Sequence, residues 1–226
     1  MSALVTEVRA ALRAAADPER ARGMQAYLRT AEPCLGVRLP QVRRLTREAA
    51  ADDLPATAAD VERAARTLWR EAGCREERYA AIALTGLPVA RGALDLLPLY
   101  EEMITTGAWW DLVDGVAGRI RDLLLAHPAA MRPVLRDWAR SADRWLRRSA
   151  VIAQLGAKER TDRALLAEVI EVNAGDPDFF VRKAIGWALR DLAKSDPAWV
   201  RRFLAEHELS PLSRREAAKH LVGSAG

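Results

Sequence analysis

Trp145-Leu146-Arg147-Arg148-Ser149-Ala150 returns thirty-five residues later as Phe180-Val181-Arg182-Lys183-Ala184-Ile185. The basic pair comes back once more in Arg214-Arg215-Glu216-Ala217, thirty-two residues beyond Arg182-Lys183. Upstream, Trp110 stands thirty-five residues before Trp145. A unit of this length holds two helices and a turn, as in TPR or short HEAT-like repeats. The Trp, Leu-Gly and Tyr pattern of TPR units is missing here, which favours the HEAT-like form. Such units stack into a curved solenoid with a concave inner face. The second helix of each pair usually lines that face, so the three basic doublets are expected along one surface.

The rest of the chain is read as helix after helix. Leu94, Leu97, Tyr100 and Ile104 recur at helical spacing, with Glu101 as the one polar interruption. Ala, Leu, Arg and Glu dominate, and all favour helix. No stretch alternates Val, Ile and Thr with polar residues at period two, so the expected class is all-α. Asp17-Pro18, Asp176-Pro177 and Asp196-Pro197 are read as helix starts. Asp caps free N–H groups there, and Pro tolerates the first helical position. Ser213 followed by Glu216 has the spacing of a capping box. Gly36, Gly73, Gly107 and Gly175 fall between the apolar stripes, as turn residues should. A single domain over residues 1–226 is expected.

Composition excludes several classes. No run of about eighteen apolar residues exists, so no membrane span is expected. Glu7, Arg9 and Arg13 interrupt the first sixteen residues, which argues against a signal peptide and for the cytoplasm. Cys34 and Cys74 have no CxxC companion and read as two unpaired thiols. His127, His207 and His220 show no ligand spacing, and His127-Pro128 reads as a turn. Neither a metal nor a cofactor is expected.

The net charge is only +4, but its distribution matters more than its size. Residues 144–219 hold 15 basic and 11 acidic side chains, whereas the remainder holds 20 of each. Of the 35 cations 31 are Arg, which suits bidentate phosphate contacts; a GC-rich coding bias gives the same preference. Recurring Arg can also bridge neighbouring helices through Asp and Glu. Three doublets at matching positions favour an anion-binding stripe, which would hold a nucleic-acid backbone without reading its sequence. A non-catalytic scaffold that binds nucleic acid or an acidic protein is the competing reading.

Seven of the thirteen aromatic residues are Trp. Trp69, Trp138 and Trp199 sit in apolar stripes and read as core. Trp109-Trp110-Asp111-Leu112-Val113-Asp114 opens the helix after Gly107. Adjacent side chains on a helix point about 100° apart, so the two Trp cannot share one core. Trp110 and Asp114 are four apart and share a face. A carboxylate in a phosphate-binding groove opposes DNA unless it serves chemistry. Trp187 follows Gly186, which costs a helix about 1 kcal/mol relative to Ala. That glycine either admits a neighbouring helix or leaves room beside the Trp.

These segments resemble the AlkD-type alkylpurine DNA glycosylases. The resemblance rests on Trp109-Trp-Asp-Leu-Val-Asp114, Trp145-Leu-Arg-Arg148, Phe179-Phe-Val-Arg-Lys-Ala-Ile-Gly-Trp-Ala-Leu-Arg190 and Pro211-Leu-Ser-Arg-Arg-Glu-Ala217. Tyr27, Gly36-Val37, Pro40 and Arg43-Arg44 extend it to the N-terminal part, so nearly the whole chain is covered. It implies an all-α, right-handed superhelical solenoid of about six HEAT-like repeats with a concave basic face. The catalytic aromatic pair falls on Trp110 and Trp187, the acid on Asp114 and the essential arginine on Arg148; none of the four is substituted. DNA contacts are expected from Tyr27, Arg43, Trp109, Arg147, Arg182, Lys183, Arg190, Arg214 and Arg215. Two departures are minor. Leu112 stands where relatives often have a small or polar residue, and the tail ends early at Gly226, which would reduce DNA contacts.

The implied activity is hydrolysis of the N-glycosidic bond of cationic alkylpurines, 3-methyladenine and 7-methylguanine, by a monomer acting on alkylated double-stranded DNA. Asp114 would stabilise the sugar cation and orient water, the two Trp would attract the same charge, and Arg148 would hold a nearby phosphate. Coupled strand cleavage would need a Lys nucleophile and Lys183 is the one lysine near these motifs, so a monofunctional enzyme is expected; the resemblance further implies action without a deep base pocket.

Overall fold

A computed structural model gives the fold and describes residues 2–52 and 54–221. The expectation about the tail at Gly226 falls outside the described residues. Among the described residues there are thirteen α-helices and no strand. None is long and apolar enough to cross a membrane. The chain parts into two compact units, Met1–Leu99 and Tyr100–Gly226.

The first unit holds α1 (Ala3–Ala14), α2 (Pro18–Leu28), α3 (Leu39–Asp52), α4 (Ala58–Arg70) and α5 (Arg75–Leu84). α5 packs against α1, α3 and α4, and Val5, Leu12, Val42, Leu68 and Leu84 fill the core. Asp17 caps α2 through the N–H of Arg20, with Pro18 at its first turn, as expected. The loop before α3 closes on a buried carboxylate. Glu76 accepts the N–H groups of Leu35, Gly36 and Val37 at 2.9, 2.8 and 3.1 Å. Gly36 has φ +83°, and a Cβ there would strike the Asp17 carbonyl. Gly36-Val37 therefore has a structural reason: only glycine turns the chain into that carboxylate.

α6 (Leu97–Gly107) runs from the first unit into the second. The second unit continues with α7 (Trp110–Ala126), α8 (Pro128–Ala139), α9 (Arg144–Ile152), α10 (Arg163–Val172), α11 (Phe179–Leu192), α12 (Pro197–Glu206) and α13 (Pro211–Ala218). α7, α9, α11 and α13 form one layer, each packed on the next. α8 packs on α7, α9 and α10, and α12 packs on α11. The sequence repeat is thus a repeat of structure. The residues capping the N-termini of α7, α9, α11 and α13 are Trp109, Asp143, Asp178 and Ser210, separated by 34, 35 and 32 positions. Neighbouring units are tied by ion pairs that span about one repeat. Arg132 reaches Asp162 at 2.7 Å, Arg136 reaches Glu168 at 2.6 Å and Arg163 reaches Asp196 at 2.8 Å.

Two helix starts differ from the reading above. α11 is capped by Asp178, not Asp176, because the Asp178 carboxylate accepts the N–H groups of Phe180 and Val181. Asp176 is left to accept from Arg147 and from the N–H of Asp178. Ser213 and Glu216 do not form a capping box, since α13 begins earlier, at Pro211, with Ser210 as its cap. Ser213 instead donates to the Arg182 carbonyl of α11 at 2.9 Å.

Gly186 faces α13. A Cβ at this position would strike the Cβ of Glu216 and lie 2.7 Å from the Ser213 carbonyl oxygen. The glycine therefore serves helix packing. Gly186→Ala is expected to lower unfolding free energy by about 2 kcal/mol net, as overpacking outweighs the better helix propensity of Ala. A urea unfolding curve checks this, with Gly175→Ala as the control, because nothing lies within 4 Å of a Cβ there.

Candidate functional site

Equal positions in successive units stand on equal faces, so the capping residues give a register for the layer α7–α9–α11–α13. Five residues past each cap lie Asp114, Arg148, Lys183 and Arg215. One turn earlier on the same faces lie Trp110, Arg144, Phe179 and Pro211. One turn beyond Lys183 on α11 lies Trp187. Trp110, Asp114 and Arg148 come from the two adjacent helices α7 and α9.

The centre of the row is a buried ion pair. Arg148 donates from Nε and Nη2 to the two Asp114 oxygens at 2.8 Å each, a bidentate fork. Its Nη1 donates to the Phe180 carbonyl on α11 at 2.5 Å, so one guanidinium ties three helices. The Arg148 side chain is only 4% exposed, while that of Asp114 is 16% exposed. The guanidinium lies 6.0 Å from the centre of the Trp187 ring, so Asp114, Arg148 and Trp187 form one cluster. Burial pushes the Asp114 carboxyl above its ordinary value, and the Arg148 hydrogen bonds and charge pull back without overcoming it; Asp111 adds a small push upward. Trp110 and Trp187 are both half-buried.

Beside this cluster the carboxylate of Glu216, from α13, gathers three cations. Lys183 Nζ, Arg190 Nη1 and Lys219 Nζ lie 2.8, 2.8 and 2.7 Å from its oxygens. Lys183 and Lys219 hold its carboxyl down to about 2. Lys183, Trp187 and Arg190 share one face of α11, so Glu216 fixes the two cations that flank Trp187. An aromatic cluster lies at the N-terminal ends of the same helices. Trp109 meets Trp145 at 6.1 Å and Phe180 at 5.6 Å between ring centres, and Trp145 meets Phe180 at 5.0 Å.

The remaining expected DNA contacts are placed as follows. Arg147 donates to Asp176 at 2.7 Å and to the carbonyls of Ser141 and Ala142, so its guanidinium joins two repeats. Arg182 is half-buried and reaches the Asp178 carbonyl. Arg214 is exposed and donates to the carbonyls of Leu204 and His207. Arg215 is exposed on the row described above. Tyr27, 74% exposed, and Arg43, also exposed, belong to the first unit. Trp69 and Trp138 are core residues, and Trp199 stacks on Phe203 at 5.0 Å. Among the described residues no group of three or more His, Cys, Asp or Glu could hold a metal ion.

Sequence reasoning passed over Arg144, Phe179 and Glu216. The first two are legible once the units are aligned on their capping residues rather than on the basic doublets. Glu216 looked like part of a cap because its role depends on which face of α13 meets α11.

Residues 8–221 match the family described as DNA alkylation repair enzyme. Among solved structures, one described as a predicted DNA alkylation repair enzyme from Enterococcus faecalis superposes with a TM-score of 0.82 at 28% identity. The match covers 92% of this chain and 98% of that one. A second, described as smu.31 from Streptococcus mutans UA159, shares the fold with a TM-score of 0.60 at 18% identity, covering 80% of this chain and 98% of that one. No curated protein matches the chain.

Proposed function

Since the chain belongs to the DNA alkylation repair enzyme family, we propose that it hydrolyses the N-glycosidic bond of cationic alkylpurines, 3-methyladenine and 7-methylguanine, in duplex DNA. The observation that carries this reading is the Asp114–Arg148 pair, a carboxylate fixed in both oxygens by a guanidinium that lies 6.0 Å from the centre of the Trp187 ring. A purine that already carries positive charge leaves without protonation, so the site needs no general acid. The sugar left behind develops oxocarbenium character. Asp114, ionised, stabilises that charge and orients the attacking water. The electron-rich faces of Trp110 and Trp187 attract the same cation. Arg148 holds the carboxylate in place and is the positioning residue of the pair.

Phosphate contacts come from Lys183 and Arg190 beside Trp187, from Arg182, Arg214 and Arg215 farther along the row, and from Arg43 in the first unit, with Tyr27 and Trp109 supplying aromatic contact. Arg147 is engaged by Asp176 and serves the scaffold. Lys183 is engaged by Glu216 and is not offered as a nucleophile, so base removal is not followed by strand cleavage. The enzyme acts as a monomer, in the cytoplasm, without a metal or cofactor.

Incubation with methylated duplex DNA tests the reading. Release of free 3-methyladenine or 7-methylguanine that leaves the strand uncut is the expected result. Tight binding with no release would overturn the enzyme in favour of a nucleic-acid scaffold.

A further inference from the structure

Phe179 is 52% exposed at the first position of α11, the most exposed large apolar side chain among the described residues of the second unit. Its ring rests against Phe180 at 5.4 Å and nearly perpendicular. Phe180 in turn joins Trp145 and Trp109, so the exposed ring is backed by a packed aromatic cluster. Arg144, first in α9, lies over Trp145 at 5.0 Å and Phe180 at 5.9 Å and pairs with Asp178 at 3.2 Å. The Arg144 side chain is 46% exposed and that of Asp178 17%; the carboxylate keeps its two capping bonds to α11, so the arginine can turn from it to a phosphate at small cost. An aromatic face and an arginine therefore stand side by side, both fixed from behind. Phe179 also shares its helix face with Lys183 and Trp187.

We infer that Phe179 and Arg144 form a ledge that grips the sugar–phosphate backbone of the DNA strand flanking the lesion, the ring against a deoxyribose and the guanidinium on its phosphate. The inference rests on the duplex-DNA reading above. Charge decides the occupant: Arg144 stands one turn before the row that carries Lys183 and Arg215, and cations spread over these faces suit a polyanion and disfavour a second copy of this basic layer. Distance decides the nucleotide. Phe179 lies eight residues from Trp187, a rise of about 12 Å along α11. A strand carries one phosphate per about 3.4 Å of axis, so the ledge meets the backbone no farther than about three or four nucleotides from the lesion.

The test pairs a substitution with a clipped substrate. Binding of duplexes that carry one 7-methylguanine, and single-turnover release of that base, are measured with a long flank on both sides of it, and with either flank cut to about two nucleotides. For the wild type, clipping one particular flank is expected to weaken binding about 10-fold, the scale for removing half a phenyl ring from contact. Phe179→Ala should bind the long duplex more weakly than the wild type does and lose less than the wild type on clipping, since only the Arg144 contact is left to remove. Phe179→Tyr should restore the difference. Equal binding of the long duplex by Phe179→Ala and wild type would overturn the ledge, and so would a clipping loss that Phe179→Ala leaves unchanged. If the wild type binds with these differences but releases no base, the glycosylase reading fails and the ledge stands.

Discussion

Asp114→Asn slows single-turnover release of alkylpurine by about 10²–10³-fold, the scale for losing one preorganised electrostatic group. Asn keeps the shape of the side chain but not its charge. The developing sugar cation then faces a neutral amide, and the attacking water loses its orienting carboxylate. Binding of alkylated DNA should hold or tighten, because one negative charge has left a basic surface. That combination, slow release with undiminished binding, separates a chemical role from a folding defect. The pH profile supplies a second reading. Burial raises the Asp114 carboxyl above its ordinary value of 3.8, so the wild-type rate falls on the acid side at a higher pH than a free carboxylate would give. The variant has no such limb. Stability follows the opposite sign: between the ordinary and the raised value the folded state holds the proton more tightly than the unfolded chain. Wild-type stability therefore declines as pH rises through that window, and the Asn variant lacks this slope. Release by Asp114→Asn at the wild-type rate would end the proposed role.

Part of this candidate site is legible in the sequence, and the reasons differ from residue to residue. The mid-thirties spacing of Trp110, Trp145 and Phe180 is a property of the chain alone, so the helical repeat could be read directly. Trp110 and Asp114 were bound together by helical periodicity, a purely local rule. Trp187 and Arg148 were not, because their meeting with Asp114 depends on how three separate helices pack. Only the resemblance brought them in. The basic doublets show the limit of pattern most clearly. Their recurrence suggested one anion-binding stripe, yet Arg147 and Arg148 turn to Asp176 and Asp114, and Lys183 turns to Glu216. A repeating Arg meets a repeating acid one unit away as readily as it meets a phosphate. Sequence spacing cannot choose between them, since both outcomes demand the same periodicity. Gly186 was open for a similar reason. Its two readings differ only in what stands opposite, and α13 stands there.

Arg148→Ala is the second large effect, and it decides whether this arginine serves the carboxylate or the phosphate. The guanidinium is almost wholly buried, and its Nε, Nη1 and Nη2 all donate within the protein. Removing one member of a buried pair typically costs about 3–5 kcal/mol, because the other is left uncompensated. Asp114 reaches solvent in part, so the lower end is expected, about 3 kcal/mol in a urea unfolding experiment. The catalytic loss follows from the same cause. Without its cationic partner, a carboxyl already pushed upward by burial rises further and spends more time neutral. Release at neutral pH should fall about 10²-fold and recover partly as pH is raised, over a range where the wild-type rate is flat. A side chain that merely propped up the fold would give no such recovery. Salt dependence supplies the contrast. A phosphate-binding arginine contributes about one unit to the slope of log binding against log salt, whereas a positioning arginine contributes almost none. Arg148→Lys keeps the charge but cannot span both oxygens, so it should fall between wild type and Ala in rate and leave the slope intact. A slope reduced by one full contact, with no recovery at high pH, would return Arg148 to the phosphate and leave Asp114 held by burial alone.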